Sequence, residues 1–309
     1  MLSMLPEARA GLDCDRDQPG CAVPTNTPIE LEFDRPLYPT TVNRQAISVF
    51  VTEKAPYSPF LSPEYDLLTR RVRFHMSGAL QPSVLYHLKL PISVDRSVGF
   101  RAYDGAALAD DLPYISTSFF TASGPSPAPA PVPTFAEPGC ADVVEVLASA
   151  CASGCCHAGD SPAMGLKLDD ADALVETAVS RVAHQAETGN SVGVGSAQPL
   201  RFGVSMRLID PGRSYSSYLI YKLLLDEQNH APCTGDCRFA ALPGAAECLP
   251  LTEEEQTRMA GWFVQGEPMP MSGPAAALLA CDELPPRRHL DCGALRAVSR
   301  WIDSGAKCP

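Results

Sequence analysis

The sequence predicts a chain of two folded parts, an all-β antiparallel sandwich followed by a mainly α domain. Hydrophobic and polar residues alternate within residues 20–122, whereas hydrophobic residues recur at helical spacing within residues 140–309. Between them, residues 123–139 are rich in Pro and Ala. Because the chain has 309 residues and 45% of them are hydrophobic, it is long enough for two cores. We therefore expect an N-terminal segment (residues 1–19), a sandwich, a linker and a helical domain.

The charge balance and the cysteine count restrict the partners and the compartment. The chain has 36 acidic and 24 basic residues, a net charge of −12, which argues against nucleic acid as a partner. Twelve cysteines indicate an oxidising compartment. No apolar run forms a signal peptide or a transmembrane helix. We therefore expect an exported protein whose leader has been removed or whose start is internal.

Alternation with period two predicts the strands of the first domain. In "PIELEFDRPL", Ile29, Leu31 and Phe33 share one face and acidic residues share the other. The same pattern recurs in "RRVRFHMS" and "SVLYHLKLPI", and two further strands are predicted in "AISVFVT" and "YISTSFFTA". His75 and His87 fall at outward positions, so we expect them to be exposed and to bind no ligand.

Three phrases of this domain resemble a known family. "VPTNTPIELEFDRPLYPTTVNRQAISVFV", "LQPSVLYHLKLP" and "STSFFTA" are similar to the bacterial immunoglobulin-like domains of surface-layer proteins. The resemblance covers residues 20–122 and implies an immunoglobulin-like sandwich that acts as a spacer or an adhesive module.

The linker, "SGPSPAPAPVPTFAEPG", alternates Pro with Ala. This composition favours a stiff polyproline-II conformation, with a rise of about 3.1 Å per residue and no core of its own.

Helical periodicity predicts five helices after the linker. "DADALVETAVSRVAH" (residues 170–184) places Leu174, Val175, Ala178, Val179 and Val182 on one stripe. The other predicted helices lie in "ADVVEVLASA", "SSYLIYKLLL", "LTEEEQTRMAGWF" and "CGALRAVSRWIDSGA". The fourth begins with the Thr252 and Glu255 spacing of a capping box, and the last ends at Gly305.

The stretch "CASGCCHAG" (residues 151–159) contains the candidate site. Covalent haem attachment needs two thiols that add to the vinyl groups and a histidine directly after the second cysteine. Cys151, Cys156 and His157 satisfy this order, although four residues rather than two separate the cysteines. Positions five apart on a helix differ by about 140° in azimuth, so the pair requires a bulge or a loop.

The other cysteines leave several disulfide pairings open. Cys155 cannot serve the same haem well, and we expect it to pair elsewhere, with Cys140 as one candidate. The local candidates are Cys14 with Cys21, Cys233 with Cys237 and Cys292 with Cys308. Connectivity cannot be read from the sequence.

Four phrases in order resemble the planctomycete-type cytochrome c domains, across residues 140–309. They are "CASGCCHAGDSPAMGLKLDDADALVETAV", "LIDPGRSYSSYLIYKL", "GEPMPMSGP" and "LRAVSRWIDSGA". The resemblance implies a mainly α cytochrome c-like domain that holds haem c covalently on Cys151 and Cys156. It makes His157 the proximal ligand and Met269 the distal ligand of the haem iron. The less favoured candidates for the distal position are Met271, Met164, His184, His230 and His289.

Two functions from different classes follow. The first is an extracytoplasmic monohaem c-type cytochrome, an electron carrier rather than a catalyst, with an immunoglobulin-like spacer and a redox protein as its partner. We expect it in the periplasm or on the outer surface of a Gram-negative bacterium. The alternative is a haem-free surface protein, structural or adhesive, in which disulfides have replaced the haem. A haem enzyme is less favoured, because no distal acid–base pair is evident.

Overall fold

The chain divides into two compact units, residues 1–134 and 135–309. The division falls within the range of the predicted Pro-rich linker. The structure is a computed structural model, and every structural statement below concerns the residues it describes: 3–7, 10, 12, 21–51, 61–92, 99–108, 116–125, 135–152, 156–160, 162–183, 206–226, 229, 238–262, 264, 269 and 289–309.

The described part of the N-terminal unit contains two antiparallel sheets. Its strands are β1 (Ser3–Leu5), β2 (Ile29–Glu32), β3 (Ser48–Phe50), β4 (Leu61–Asp66), β5 (Arg71–Met76), β6 (Leu85–Lys89) and β7 (Ser116–Phe120). The four-stranded sheet has the order β1-β2-β5-β4, and the three-stranded sheet has the order β3-β6-β7. Antiparallel β structure is therefore confirmed for this unit.

The two-residue alternation matches the buried face of the larger sheet. Ile29 and Leu31 of β2 are fully buried and lie opposite Phe74 and Val72 of β5, which are also fully buried. Between them, Glu30 accepts hydrogen bonds from Arg73 on the other face. The pattern predicted which residues of each strand face the core, and this register keeps them there, because a shift of one residue would turn the apolar set towards solvent.

His75 lies on β5 of the four-stranded sheet and His87 on β6 of the three-stranded sheet. The prediction that both are exposed is confirmed for His75 and wrong for His87. His75 is exposed and its Nε2 lies 2.5 Å from Glu64 Oε2. His87 is half-buried and its Nδ1 lies 2.7 Å from Ser118 Oγ.

Strands β1 and β4 were not predicted from the sequence. β1 has only three residues, too few to show a period, and it adds to the edge of the sheet beside β2. β4 contains Pro63, which argues against a central strand. Because β4 is the other edge strand, the missing N–H of Pro63 costs no ladder hydrogen bond to a further strand.

The described part of the C-terminal unit is helical. Its helices are α1 (Cys140–Cys151), α2 (Ala171–Thr177), α3 (Tyr218–Leu224), α4 (Glu253–Trp262) and α5 (Cys292–Asp303). Short 3₁₀ turns occur at Ala163–Gly165 and Ser214–Ser216. All seven residues of α3 are buried, and α5 buries Trp301 against the rest of the unit.

The prediction of one continuous helix over residues 170–184 was wrong. α2 ends at Thr177, and Ser180 takes a left-handed conformation with φ of 60°. Residues 178–183 instead bond to residues 206–209, for example through Ser180 N–H to the Ile209 carbonyl at 2.8 Å. Two residues of the predicted stripe, Val175 and Val182, are 38% and 41% exposed. The β-branched residues of this segment pair as extended chain.

The predicted cap at the start of α4 and the predicted end of α5 at Gly305 are both confirmed. Glu255 N–H donates to Thr252 Oγ1 at 3.2 Å, and Thr252 N–H donates to the Glu255 carboxylate at 2.8 Å. These reciprocal bonds are a capping box at the start of α4. Gly305 has φ of 107° and follows α5, where the Ala306 N–H bonds to the Trp301 carbonyl at 3.0 Å.

The disulfides correct two of the candidate pairings. Cys140 is bonded to Cys308, not to Cys155, and Cys292 is bonded to Cys248, not to Cys308. The first bond joins the start of α1 to the end of the chain, a proximity that spacing along the sequence does not reveal. Cys21 is disulfide-bonded, while Cys14, Cys155, Cys233 and Cys237 lie outside the described residues.

In the parts of the chain that the structure describes, no helix has both the length and the hydropathy needed to cross a membrane.

Candidate functional site

The end of α1 positions the two candidate thiols. Val143 and Leu147 are fully buried and fix the helix, so its last residue, Cys151, is also buried. After the helix ends, the His157 N–H donates to the Cys151 carbonyl at 3.3 Å. Cys151 and Cys156 therefore lie on either side of a helix terminus, as the long spacing between them requires.

Both thiols are free. Of the seven cysteines that the structure describes, Cys21, Cys140, Cys248, Cys292 and Cys308 are disulfide-bonded. The remaining two are Cys151 and Cys156, which are unbonded. Burial and, to a smaller extent, the nearby Cys156 together raise the pKa of the Cys151 thiol to about 12. The two sulfur atoms are thus electrostatic neighbours that do not form a bond with each other.

The His157 ring is held in one orientation. Its Nδ1 lies 3.1 Å from the Leu166 carbonyl, and its backbone carbonyl accepts from the Leu168 N–H at 2.8 Å. Because a carbonyl only accepts, Nδ1 carries the proton of this bond, and the neutral ring has its lone pair on Nε2. Nε2 is therefore the ring atom available to a metal.

Burial determines the charge of the His157 ring. The side chain is 8% exposed, and burial lowers the pKa of His157 below its ordinary value. Backbone hydrogen bonds to Leu166 and Ala163 oppose this shift, whereas the positive charge of Lys222 lowers the pKa further. The net direction favours the neutral imidazole, which is the form that ligates metals.

The chain segment that contacts His157 is fixed from α2. The Lys167 N–H donates to Thr177 Oγ1 at 3.0 Å, and the hydroxyl lies within donating distance of the Lys167 carbonyl at 3.1 Å and of the Ala173 carbonyl at 2.7 Å. These bonds hold Leu166 and Leu168, which flank Lys167, against the site. The side chain of Thr177 thus supports the carbonyl that orients the imidazole.

Met269 is held at the site from α3. Its backbone N–H donates to the Lys222 carbonyl at 3.3 Å, and its carbonyl accepts from Asn229 Nδ2 at 3.0 Å. The residue is half-buried. Met269 lines one cavity together with three residues of α3, namely Tyr218, Leu219 and Lys222.

A largely apolar cavity connects these groups. The cavity is partly open to solvent, and its surface is mainly apolar. Cys151, His157 and Met269 line it together with Tyr218 and Lys222. Its remaining walls are mainly aliphatic and include Ala163, Met164, Leu166, Leu168, Leu208 and Leu219.

The structure thus brings three of the four predicted site residues to one cavity. Cys156 does not line the cavity, although it lies close enough to affect the Cys151 pKa. Met164 lines it and is 70% exposed, whereas His289 bonds to Asp226 at 3.2 Å and does not line it. Met271, His184 and His230 lie outside the described residues.

Lys222 and Asn229 were missed by the sequence analysis. Lys222 is a single cation in the apolar helix "YLIYKLL", which is a signal that could have been used. Asn229 has no such signal, because its importance depends on partners distant in sequence.

Among the described residues, no group of three or more His, Cys, Asp and Glu side chains could hold a metal ion. The donor set of this cavity is different, since it combines one thiol, one imidazole and two thioethers, those of Met164 and Met269.

Comparisons with known proteins give little about this chain. No protein-family model and no curated protein match it. Among solved structures, it is similar to the N-terminal part of the bacterial S-layer protein SbsC, with 13% sequence identity and a TM-score of 0.25. The match covers 34% of this chain and only 22% of that chain. A TM-score this low carries no conclusion about fold or function, so the cavity must be interpreted from its own geometry.

Proposed function

We propose that the C-terminal unit is a cytochrome c-like domain that carries single electrons on one covalently bound haem c. Cys151 and Cys156 form the two thioether bonds, His157 is the proximal iron ligand and Met269 is the distal one. The observation that carries this proposal is the cavity, because Cys151, His157 and Met269 line it although Met269 is distant in sequence.

The thiols suit covalent attachment. Each thioether forms when a sulfur bonds to one vinyl carbon and the thiol hydrogen moves to the other, which requires a thiol that is not in a disulfide. Cys151 and Cys156 are both free, in a unit whose other described cysteines are paired. Both cysteines are therefore in the unbonded form that thioether formation requires.

The axial groups suit iron. His157 offers Nε2, because Nδ1 bonds to the Leu166 carbonyl, and an orienting bond of this kind is typical of metal-binding histidines. Met269 offers a soft thioether, which stabilises the reduced iron and raises the reduction potential. Filling both axial positions with protein ligands leaves no open position for a substrate, so the pair supports electron transfer over catalysis.

The walls suit a porphyrin. Aliphatic side chains dominate the lining of the cavity, which suits the apolar faces of a porphyrin. The positive charge of Lys222 disfavours protonation of His157, and it also disfavours the extra positive charge of oxidised iron. When bound, the haem would supply a reversible one-electron couple, and the protein would supply ligands, burial and this charge.

For the N-terminal unit we propose an immunoglobulin-like sandwich that acts as a spacer. Its two antiparallel sheets and the resemblance of residues 20–122 to surface-layer-protein domains support this assignment. The disulfides support an extracytoplasmic location, since such bonds persist in oxidising compartments. The partner would be a redox protein, and the net charge of −12 suits one with a basic surface.

The alternative, a haem-free surface protein, is supported by the two disulfides that stabilise the helical unit without a cofactor. It requires Cys151 and Cys156 to form disulfides as well. Both thiols are free, which favours the electron carrier.

Haem staining of a denaturing gel tests the proposal. The chain is expressed in a host with periplasmic haem ligation, and the stain is compared for the wild type, Cys151→Ala, Cys156→Ala and the double variant. We expect stain to remain with the wild-type polypeptide, to weaken in each single variant and to disappear in the double variant.

A matched control removes two other cysteines of the same unit, Cys248 and Cys292, by substitution with Ser. These cysteines form a disulfide and do not line the cavity, so this variant should retain the stain. A wild-type chain without stain, with Cys151 and Cys156 recovered as disulfides, would establish the haem-free alternative.

A further inference from the structure

The backbone of Met269 is fixed by a side chain outside the cavity lining. Asn229 is fully buried and its Nδ2 donates to the Met269 carbonyl at 3.0 Å. The same Nδ2 donates to the Leu223 carbonyl near the end of α3 at 2.7 Å. The amide therefore joins the segment that contains Met269 to the helix that lines the cavity.

The other end of the amide holds a third segment. Asn229 Oδ1 accepts from the Leu290 N–H at 2.8 Å, just before α5 begins. Because all three partners are backbone groups of fixed role, the amide can be oriented in only one way. The Asn229 N–H also bonds to the Asp226 carbonyl at 3.1 Å, which ties the residue to the end of α3.

The hydrogen bonds of this amide to Leu223 and Leu290 are buried, and the one to Met269 is partly buried. Removal of one partner would leave buried carbonyl or N–H groups unsatisfied, which is more costly than the loss of an exposed hydrogen bond. A thioether ligand needs such support, since a neutral sulfur binds iron weakly and only a well-placed side chain stays coordinated.

We propose that Asn229 is the positioning residue that holds Met269 at the iron, so that it sets the strength of the distal bond and the reduction potential. This inference rests on the proposed function. Asn229 does not line the cavity and acts only through the backbone of Met269.

The test uses the full chain with its haem attached and compares the wild type with Asn229→Asp and Asn229→Ser. The first variant keeps the shape of the side chain but replaces the donating NH₂ by an oxygen that faces two carbonyl oxygens. The second retains one hydroxyl donor and disturbs the site less. It tests the role of Asn229 if Asn229→Asp does not fold. Each variant is measured at a temperature at which its far-UV circular dichroism spectrum shows that it is folded.

Two readouts report on the distal bond itself. The first is the near-infrared charge-transfer band of methionine-ligated ferric haem, which we expect to weaken or vanish in the Asn229 variants, as in Met269→Ala. The second is the reduction potential, which should fall by about 59 mV for each tenfold loss in the preference of the site for reduced iron. Added imidazole should also bind the ferric variants at least tenfold more tightly than the wild type.

Ser214→Ala is the matched control. Ser214 is buried in the same unit, its Oγ donates to Asp303 at 2.9 Å, and it does not line the cavity. We expect this variant to lose stability but to keep the band and the potential of the wild type.

The outcomes separate this inference from the proposed function. A haem-bearing wild type with the methionine band, together with unchanged band and potential in the folded Asn229 variant, would overturn the role of Asn229 alone. A wild type without covalent haem would overturn both proposals. Loss of the band in the Asn229 variant but not in Ser214→Ala supports the inference.

Discussion

At the scale of single residues, the surroundings of His157 select the form of its side chain. Burial lowers its pKa and favours the neutral ring, and the Leu166 carbonyl selects the tautomer with the proton on Nδ1. The sequence identified His157, because it directly follows a cysteine. It could not identify Leu166 as the partner, since the turn that brings its carbonyl back depends on Met164 with φ of 56° and on Gly165.

An ion pair elsewhere in this unit gives a prediction about pH. Arg300 donates to both carboxylate oxygens of Glu137, and these hydrogen bonds lower the pKa of Glu137 below its usual 4.5. The stabilising contribution is therefore present above pH 4.5 and is lost as the pH falls through the lowered pKa. We expect the wild type to exceed Glu137→Gln in unfolding free energy at neutral pH by less than about 1 kcal/mol, as for other exposed ion pairs.

Urea unfolding at neutral pH and well below pH 4.5 measures the difference in unfolding free energy between the wild type and Glu137→Gln. The difference between the two proteins should close in acid. A difference that persists or grows there would contradict the assignment.

At the scale of elements, caps formed by residues close in sequence were more predictable than the extent of a helix that competes with pairing to a distant segment. The capping box of Thr252 and Glu255 and the end of α5 at Gly305 were predicted correctly, because both depend on residues within a few positions. The length of α2 was not, since residues 178–183 bond to residues 206–209 and this pairing overrides the helical pattern. Similarly, β1 and β4 are strands because each forms backbone hydrogen bonds with a neighbouring strand, β2 and β5 respectively.

Removal of the capping hydroxyl gives the prediction at this scale. Thr252→Ala should destabilise the C-terminal unit by about 1 kcal/mol, because the Glu255 N–H loses its acceptor. Glu254→Ala is the control in the same helix, since Glu254 is exposed and forms an ion pair with Arg258, four residues further along α4. The control should cost less than about 0.5 kcal/mol. Tryptophan fluorescence during urea unfolding measures both, because Trp262 and Trp301 lie in this unit. Equal effects of the two substitutions would show that the cap contributes nothing.

At the scale of the whole molecule, the contacts that the sequence could not predict are those between distant segments. The Cys140–Cys308 bond spans 168 positions and the Cys248–Cys292 bond spans 44. The cavity likewise combines the end of α1 with Met269. Resemblance to a family placed Met269 at the site, whereas composition and periodicity alone did not distinguish it from a packing residue.

The disulfide that spans the helical unit gives a prediction about its stability. Loss of Cys140–Cys308 through substitution of both residues by Ser should destabilise the unit by roughly 2–5 kcal/mol, because the unfolded chain gains entropy. By the loop-length dependence alone, this cost should exceed that of the Cys248–Cys292 double variant by about 1 kcal/mol. Urea unfolding followed by tryptophan fluorescence compares the two. If removal of Cys140 and Cys308 left the unfolding midpoint unchanged, the bond would not hold the unit together.

The most direct measurement of the central claim is the mass of the proteolytic peptide that contains residues 151–157. The protein is expressed with haem ligation machinery and digested without reduction. We predict one peptide that carries a single haem, with fragmentation that places the attachment on Cys151 and Cys156. Recovery of either cysteine in a disulfide with another peptide would contradict the account.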